Sequence, residues 1–327
     1  MKPEKQKSKI KLHLYKKKIE DNIAFFFKYF GKFDRIRFLT NNGLYAENIQ
    51  NGETGRKIDV LVNEFFEVGT ASDYVLFMQF IEQSLRDGRI PIIDRKSFQN
   101  ASLYDENRTN TWEIFFEQPI GDITLDSITK EDDVRKVYVS RRTVPSIDLT
   151  KCNEPDICRY WRHVARKYAR FNREKSEKLS ELSSKLVSQN SLGVYVRMGY
   201  EQGKWAGHPK QPRMQMLISD IKNRMEEWRL TNIFLVHDIE ETYEELEKAF
   251  PGMVSHVERK RPDYDSVNRI GGITFDMQIE KESDYLDEIY CLSKCNSVLG
   301  SNSSGMCMAF LLSEGFEHVY IYNLGSY

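Results

Sequence analysis

Three things are scarce in this chain, and each scarcity excludes a class. Cysteine comes to five residues in 327, an odd set with neither paired CxxC units nor histidines spaced to join them. That argues against a disulfide framework and against a structural zinc site. Cys291 and Cys295, four apart in an expected helix, share a face and are expected to be buried as small apolar residues. No apolar run reaches the length of a membrane-spanning helix, and the start has no apolar core of the signal-peptide kind, so a cytoplasmic protein is expected. An excess of one charge is also missing: 48 Lys and Arg stand against 49 Asp and Glu, a formal net charge of -1. The chain as a whole therefore has no attraction for nucleic acid.

What is present is the composition of an ordinary globular protein, 40% hydrophobic and 30% charged, in a chain longer than one hydrophobic core usually supports. Two domains are expected, residues 1–185 with a helical connector at their end and residues 186–327. Residues 1–18 hold eight lysines against one glutamate and lead into an aromatic cluster, Ile23 to Phe30. One reading is a peripheral contact with the anionic inner face of a membrane; the other is a solvated tail before a packed first helix.

The first half alternates in strand and helix signals. Arg35 to Leu39 and Ile58 to Val62 read as strands, Ser72 as the N-cap of a helix running to Leu85, Asp87-Gly88 as its stop and Ile90 to Asp94 as the next strand. Ser97 to Asn110 reads as a loop that delivers Trp112, Glu113 and Glu117, an aromatic with two carboxylates. These three are candidates for the acceptor side of a sugar pocket, or else simple packing. From Pro155 to Ser188 the pattern is helical and densely charged.

The second half alternates more regularly. Strands are expected at 191–197, 233–236, 253–256, 297–299 and 319–322, with helices at 212–228, 239–250, 283–295 and 303–313 between them. Five strands with crossover helices imply a mostly parallel, doubly wound sheet. In the common strand order 3-2-1-4-5, the first and fourth strands flank the point where the winding reverses, and ligands bind there, outside the carboxyl ends of the strands. Arg197 ends the first of these strands, and Gly300 to Gly305 follows the fourth. A guanidinium can grip an anion with two parallel bonds, and a helix beginning at Ser303 offers free N–H groups and the positive end of its dipole. Taken singly, Arg197 could bridge a loop and Ser303 could be an ordinary N-cap; converging, they favour a nucleotide.

The segments Val194-Tyr-Val-Arg197, Gly207-His208-Pro209, Ile233 to Asp238 and Leu286 to Ser304 resemble, in order and spacing, the donor domain of the GDP-fucose-dependent α-1,6- and protein O-fucosyltransferases. They resemble most closely a group of bacterial surface-polysaccharide glycosyltransferases of that superfamily, and Asn110 to Pro119 resembles that group's first domain. The resemblance implies an α/β fold of the GT-B class, two Rossmann-like domains with mostly parallel sheets. It also implies transfer of a sugar from a GDP-sugar, itself a substrate, to a glycan or polysaccharide acceptor with no cofactor; no divalent metal is needed if an arginine and a helix terminus hold the diphosphate.

By this resemblance Arg197 holds the donor diphosphate, Ser303 and Ser304 complete the phosphate site, Glu288 reads the guanine, and Asp238 lies near the nucleotide. Tyr195 and His208 also fall in the matched donor-binding segments. Tyr195 stands where the family has a His, and Met198 and Tyr200 stand where it has a second Arg and an Asp. Glu201 is a candidate general base, as are Glu113 and Glu117. Two rival readings use other features: a metal-dependent transferase holding its ion on Asp263 and Asp265, and a non-catalytic nucleotide-sugar-binding protein.

Overall fold

The computed structural model describes residues 55–63, 69–95, 110–139, 154–199, 208–259, 261 and 275–327. All described residues belong to one compact unit, Gly52–Tyr327. The basic amino terminus, the expected strand at 35–39, most of the expected loop at 97–110, Tyr200, Glu201, Asp263 and Asp265 lie outside the described residues.

Two parallel sheets organise this unit. The first contains β1 (Lys57–Asn63), β2 (Ile90–Asp94) and β3 (Asp133–Val139) in the order β2-β1-β3. Ile58, Val60, Leu61 and Val62 of its central strand are all buried, as a strand covered on both sides requires, and Asp59 among them is buried in ion pairs with Arg89 and Arg135. Helix α1 (Thr70–Arg86) connects β1 to β2. It begins three residues earlier than the sequence suggests, with Gly69 rather than Ser72 at the N-cap. The strand β3 has no counterpart in the sequence reading. Its residues Asp133 to Lys136 are exposed and its charges interrupt the apolar alternation, so the edge position hides the signal that buried strands carry.

Helices α2 (Pro155–Tyr168) and α3 (Arg173–Leu186) fill the expected connector. The connector is divided into two helices. The break falls at residues 169–172, where Phe171 bridges Phe116 across antiparallel backbone and stacks on its ring. Asn172 caps α3 by accepting from the Lys175 amide at 2.9 Å, a short-range bond that satisfies one of the helix's free donors.

The second sheet contains β4 (Ser191–Tyr195), β5 (Asn232–Val236), β6 (Val254–His256), β7 (Ser297–Ser301) and β8 (His318–Tyr322). Their order is β6-β5-β4-β7-β8 and every pairing is parallel, which is the expected 3-2-1-4-5 winding. Helices α4 (Met214–Glu227) and α5 (Glu240–Ala249) cover one face. There Leu217, Ile221, Met225 and Leu246 close over Leu192, Val194, Ile233 and Leu235. Each such side chain contributes about 1.5–3 kcal/mol by leaving water.

Helix α6 (Phe275–Leu292) lies against β4 and β5 and approaches so closely that Gly193 has no room for a side chain: a Cβ there would stand 2.6 Å from Leu292 Cδ1. It begins eight residues before the start read from the sequence, because its first two turns, Phe275 to Glu282, are mostly polar. Helix α7 (Ser304–Leu312) has almost no polar face and nearly all of it is buried, as an all-round apolar helix must be. It packs against α1, α2 and α6. Arg162 of α2 caps its carboxyl end, donating to the Phe310 carbonyl at 2.8 Å and to Ser313 Oγ at 3.1 Å, and a cation there complements the helix dipole.

The four described cysteines, Cys158, Cys291, Cys295 and Cys307, are buried. Burial pushes the Cys291 thiol up to about 12, so it behaves as an apolar filler rather than a nucleophile. No helix of the described residues is long and apolar enough to cross a membrane.

Candidate functional site

β4 and β7 lie side by side, with Tyr195 opposite Gly300 in the register. The chain leaves β4 through α4 toward β5 and leaves β7 through α7 toward β8, so the winding reverses between them. Arg197, two residues past Tyr195, and Ser303, three past Gly300, therefore occupy the same end of the sheet. This adjacency is a consequence of strand order; 106 residues separate the two in the chain.

Several bonds fix Arg197. Its Nε lies 3.5 Å from Asp238 Oδ2 at the end of β5, and its guanidinium lies 5.8 Å over the ring of Tyr285 on α6. Asp238 Oδ1 in turn accepts from the Gly199 amide at 3.3 Å. The Arg197 amide donates to Gln211 Oε1 at 3.0 Å, and the same oxygen accepts from Ser301 Oγ at 2.7 Å. Gln211 thus ties the end of β4 to the end of β7, and its buried acceptor is fully used. The sequence reading missed this residue, since a single Gln between two prolines carries no periodic signal.

On the other side of the crevice, Ser303 caps α7 by accepting from the Met306 amide at 3.3 Å. The helix's other first-turn N–H groups are left without intrahelical acceptors. Ser304 Oγ accepts from Ser72 Oγ of α1 at 2.8 Å, so the starts of two helices meet at this point. Tyr195 is 1% exposed and its hydroxyl lies 3.2 Å from that of Tyr285. Both hydroxyls press on Gly305, where a Cβ would stand 2.7 Å from Tyr195 Oη. His208 sits partly buried in a loop held by the chain's last residues: its carbonyl accepts from the Tyr327 amide at 3.1 Å, and Pro209 bridges Ser326.

Glu288 is fully buried on α6, with both carboxylate oxygens engaged. Arg259 donates from Nε to Oε1 at 3.0 Å and from Nη2 to Oε2 at 3.1 Å, and Arg261 Nη2 donates to Oε1 at 2.9 Å. Burial holds the pKa of this carboxyl above its ordinary value, against the opposing pull of the two guanidiniums and, at longer range, of Arg197. Beside them His237, the residue before Asp238, bonds the Ile239 carbonyl through Nδ1 at 2.8 Å and faces His256 Nδ1 through Nε2 at 3.3 Å. Burial, then the Arg261 charge, hold it at about 3, so it is neutral.

The three acceptor-side candidates sit together near the end of β2. Trp112 is 1% exposed in an aromatic cluster with Tyr74, Phe77 and Phe116, and its Nε1 donates to the Glu117 carbonyl at 3.0 Å. Glu113 accepts from Gln118 Nε2 at 2.7 Å and from Asn110 Nδ2 at 3.3 Å. Glu117 pairs with Arg170 at 2.6 Å on partly exposed surface. Among the described residues no group of three His, Cys, Asp or Glu side chains is placed to hold a metal ion.

No protein-family model matches the chain, and no curated protein sequence matches it. Solved structures do. The chain is similar to NodZ alpha-1,6-fucosyltransferase soaked with GDP-fucose, with a TM-score of 0.52 at 14% identity over 79% of this chain and 93% of that one. It is similar to POFUT1 in complex with GDP, with a TM-score of 0.51 at 9% identity over 83% of this chain and 100% of that one. It is also similar to a point mutant of Arabidopsis thaliana FUT1 in complex with GDP, with a TM-score of 0.50 at 12% identity over 86% of this chain and 74% of that one. At these identities the likeness is one of fold: the chain has the α/β architecture, with mostly parallel sheets, of the GT-B fucosyltransferases.

Proposed function

We propose that the chain is a fucosyltransferase-like glycosyltransferase that takes a GDP-sugar as donor and a glycan or polysaccharide as acceptor. The observation that supports this reading is the placing of Arg197 and the Ser303-Ser304 helix start on neighbouring strand ends where the winding reverses. A guanidinium and a helix N-terminus on one crevice suit a diphosphate. The barrier to glycosyl transfer is departure of a nucleoside diphosphate from an oxocarbenium-like sugar. Positive charge held ready on the leaving diphosphate lowers it without a metal ion, and one such donor contributes on the order of 3 kcal/mol. In this reading Asp238 aims Arg197, and Glu288 reads the base. The solved neighbours that carry GDP or GDP-fucose on this fold support the choice of nucleotide.

A thermal-shift screen tests the proposal, because a ligand that binds only the folded state raises its stability by RT ln(1 + [L]/Kd). GDP is expected to stabilise the protein more than UDP, CMP or NAD, and GDP-sugar turnover to free GDP is expected to persist in EDTA. A screen in which UDP stabilises and GDP does not would overturn the assignment of the base. Turnover abolished by EDTA and restored by Mn²⁺ would overturn the metal-free mechanism.

A further inference from the structure

The geometry points to Arg259 as an internal stand-in for guanine, occupying the base-reading carboxylate of Glu288 until a guanine edge replaces it. This rests on the reading of the crevice as a GDP site and goes beyond it by naming a residue that competes with the ligand. Arg259 meets Glu288 with Nε and Nη2, one on each oxygen, at 3.0 and 3.1 Å. The guanine edge presents the same chemistry, a ring N–H beside an exocyclic amino group, two neighbouring in-plane donors. Uracil, cytosine and adenine each interrupt their donors with an acceptor and offer no such pair.

Arg259 and Arg261 are not equivalent partners. Arg261 is 2% exposed at its side chain and is woven into backbone, donating to the carbonyls of Val257 at 3.1 Å, Arg259 at 3.4 Å and His237 at 3.5 Å as well as to Glu288. Among the described residues Arg259 has, beyond the carboxylate, one long contact with the His237 carbonyl at 3.4 Å, and its side chain is 11% exposed. It is therefore the cation that can swing into water while Arg261 keeps the buried charge compensated. The exchange loses two charge-assisted bonds and regains two. A base lacking the donor pair would leave Oε2 unpaired in a fully buried place, which costs more than the bond itself contributes. The path from this carboxylate to the phosphate end of the crevice is short and continuous: both arginines touch the His237 carbonyl, and the next residue, Asp238, pairs with Arg197.

The test is the Kd of GDP and of UDP, by titration calorimetry, for the wild type, Arg259→Ala and Arg259→Lys. Removing the competitor is expected to tighten GDP by about tenfold, the factor equivalent to one net charge-assisted hydrogen bond, and to leave UDP unchanged. Arg259→Lys is expected to fall between, since an ammonium cannot fill both oxygens at once. The lysine variant also decides the question if the alanine variant fails to fold. GDP binding that is unchanged or weaker in a natively folded variant would overturn the inference while leaving the GDP reading intact. A wild-type protein that binds no GDP would overturn both.

Discussion

Ser72 Oγ donates to Ser304 Oγ across 2.8 Å, joining the first turn of α1 to the first turn of α7. The two helices follow strands of different sheets, so this one bond relates the first half of the chain to the proposed phosphate site of the second. Its two hydroxyls are expected to act as a unit. Ser72→Ala and Ser304→Ala should each lower the unfolding free energy by about 1 kcal/mol, and the double variant should lose little more than either single. Urea denaturation followed by far-UV CD reads both quantities. Strictly additive losses would mean that each hydroxyl has a different partner.

Gly300 of β7, opposite Tyr195 of β4, has no room for a side chain. A Cβ there would lie 2.7 Å from Met306 Cε, 3.0 Å from Tyr195 Cβ and closer still to the Tyr195 carbonyl oxygen. The methionine can turn aside; a carbonyl in a paired strand cannot. Gly300→Ala should therefore destabilise the protein by roughly 1–3 kcal/mol, the usual cost of overpacking. It should also weaken the response of the melting temperature to GDP, because spreading these strands separates Arg197 from Ser303. A variant that melts and binds as the wild type does would show that the strands can part without consequence.

How much of this was legible in the sequence depended on burial. The winding of the second sheet could be read because β4, β5 and β7 are continuous apolar runs, each followed by a helix, and only a few strand orders obey the crossover rules. That order alone brought Arg197 to Ser303. The edge strand β3 could not be read, since its exposed residues follow solvent rather than a core. The connector's break at 169–172 was equally hidden, because Phe171 turns out of the helical pattern to reach Phe116, which lies 55 residues earlier. Polar contacts that close between distant loops left no trace either. Gln211 with Ser301, and Arg259 with Glu288, are set by tertiary placement and by no spacing in the chain.

His237 gives the protein a sensitivity to acid. Its folded-state pKa, held at about 3, lies below the ordinary 6.5, so between these values the unfolded chain binds a proton that the folded one refuses. Stability is then complete above pH 6.5 and is lost as pH falls toward 3, by an amount on the order of a few kcal/mol from this residue. His256, also lowered by burial and facing His237, acts in the same direction. The urea midpoint of the wild type should fall between pH 7 and pH 5, and His237→Asn should flatten that fall. Equal slopes for the two proteins would place the acid sensitivity elsewhere.

The last expectation concerns which partner of the Arg197–Asp238 pair acts on the donor. Arg197 stands at the proposed diphosphate, while Asp238, with its other oxygen on the Gly199 amide, is placed to hold the guanidinium in position. Arg197→Ala should therefore lower kcat/KM for donor turnover by an amount equivalent to roughly 3 kcal/mol of transition-state stabilisation. Arg197→Lys should recover part of this, because an ammonium restores the charge without the two-pronged geometry. Asp238→Asn should lose less than Arg197→Ala, since it loosens the arginine without removing it. If Asp238 works only through Arg197, then adding Asp238→Asn to Arg197→Ala should change nothing further. Full kinetics on the four variants, with far-UV CD to confirm folding, decide the matter. An additive double variant would assign Asp238 its own contact with the nucleotide, and wild-type turnover in Arg197→Ala would reduce the pair to a loop salt bridge and remove the diphosphate from this crevice.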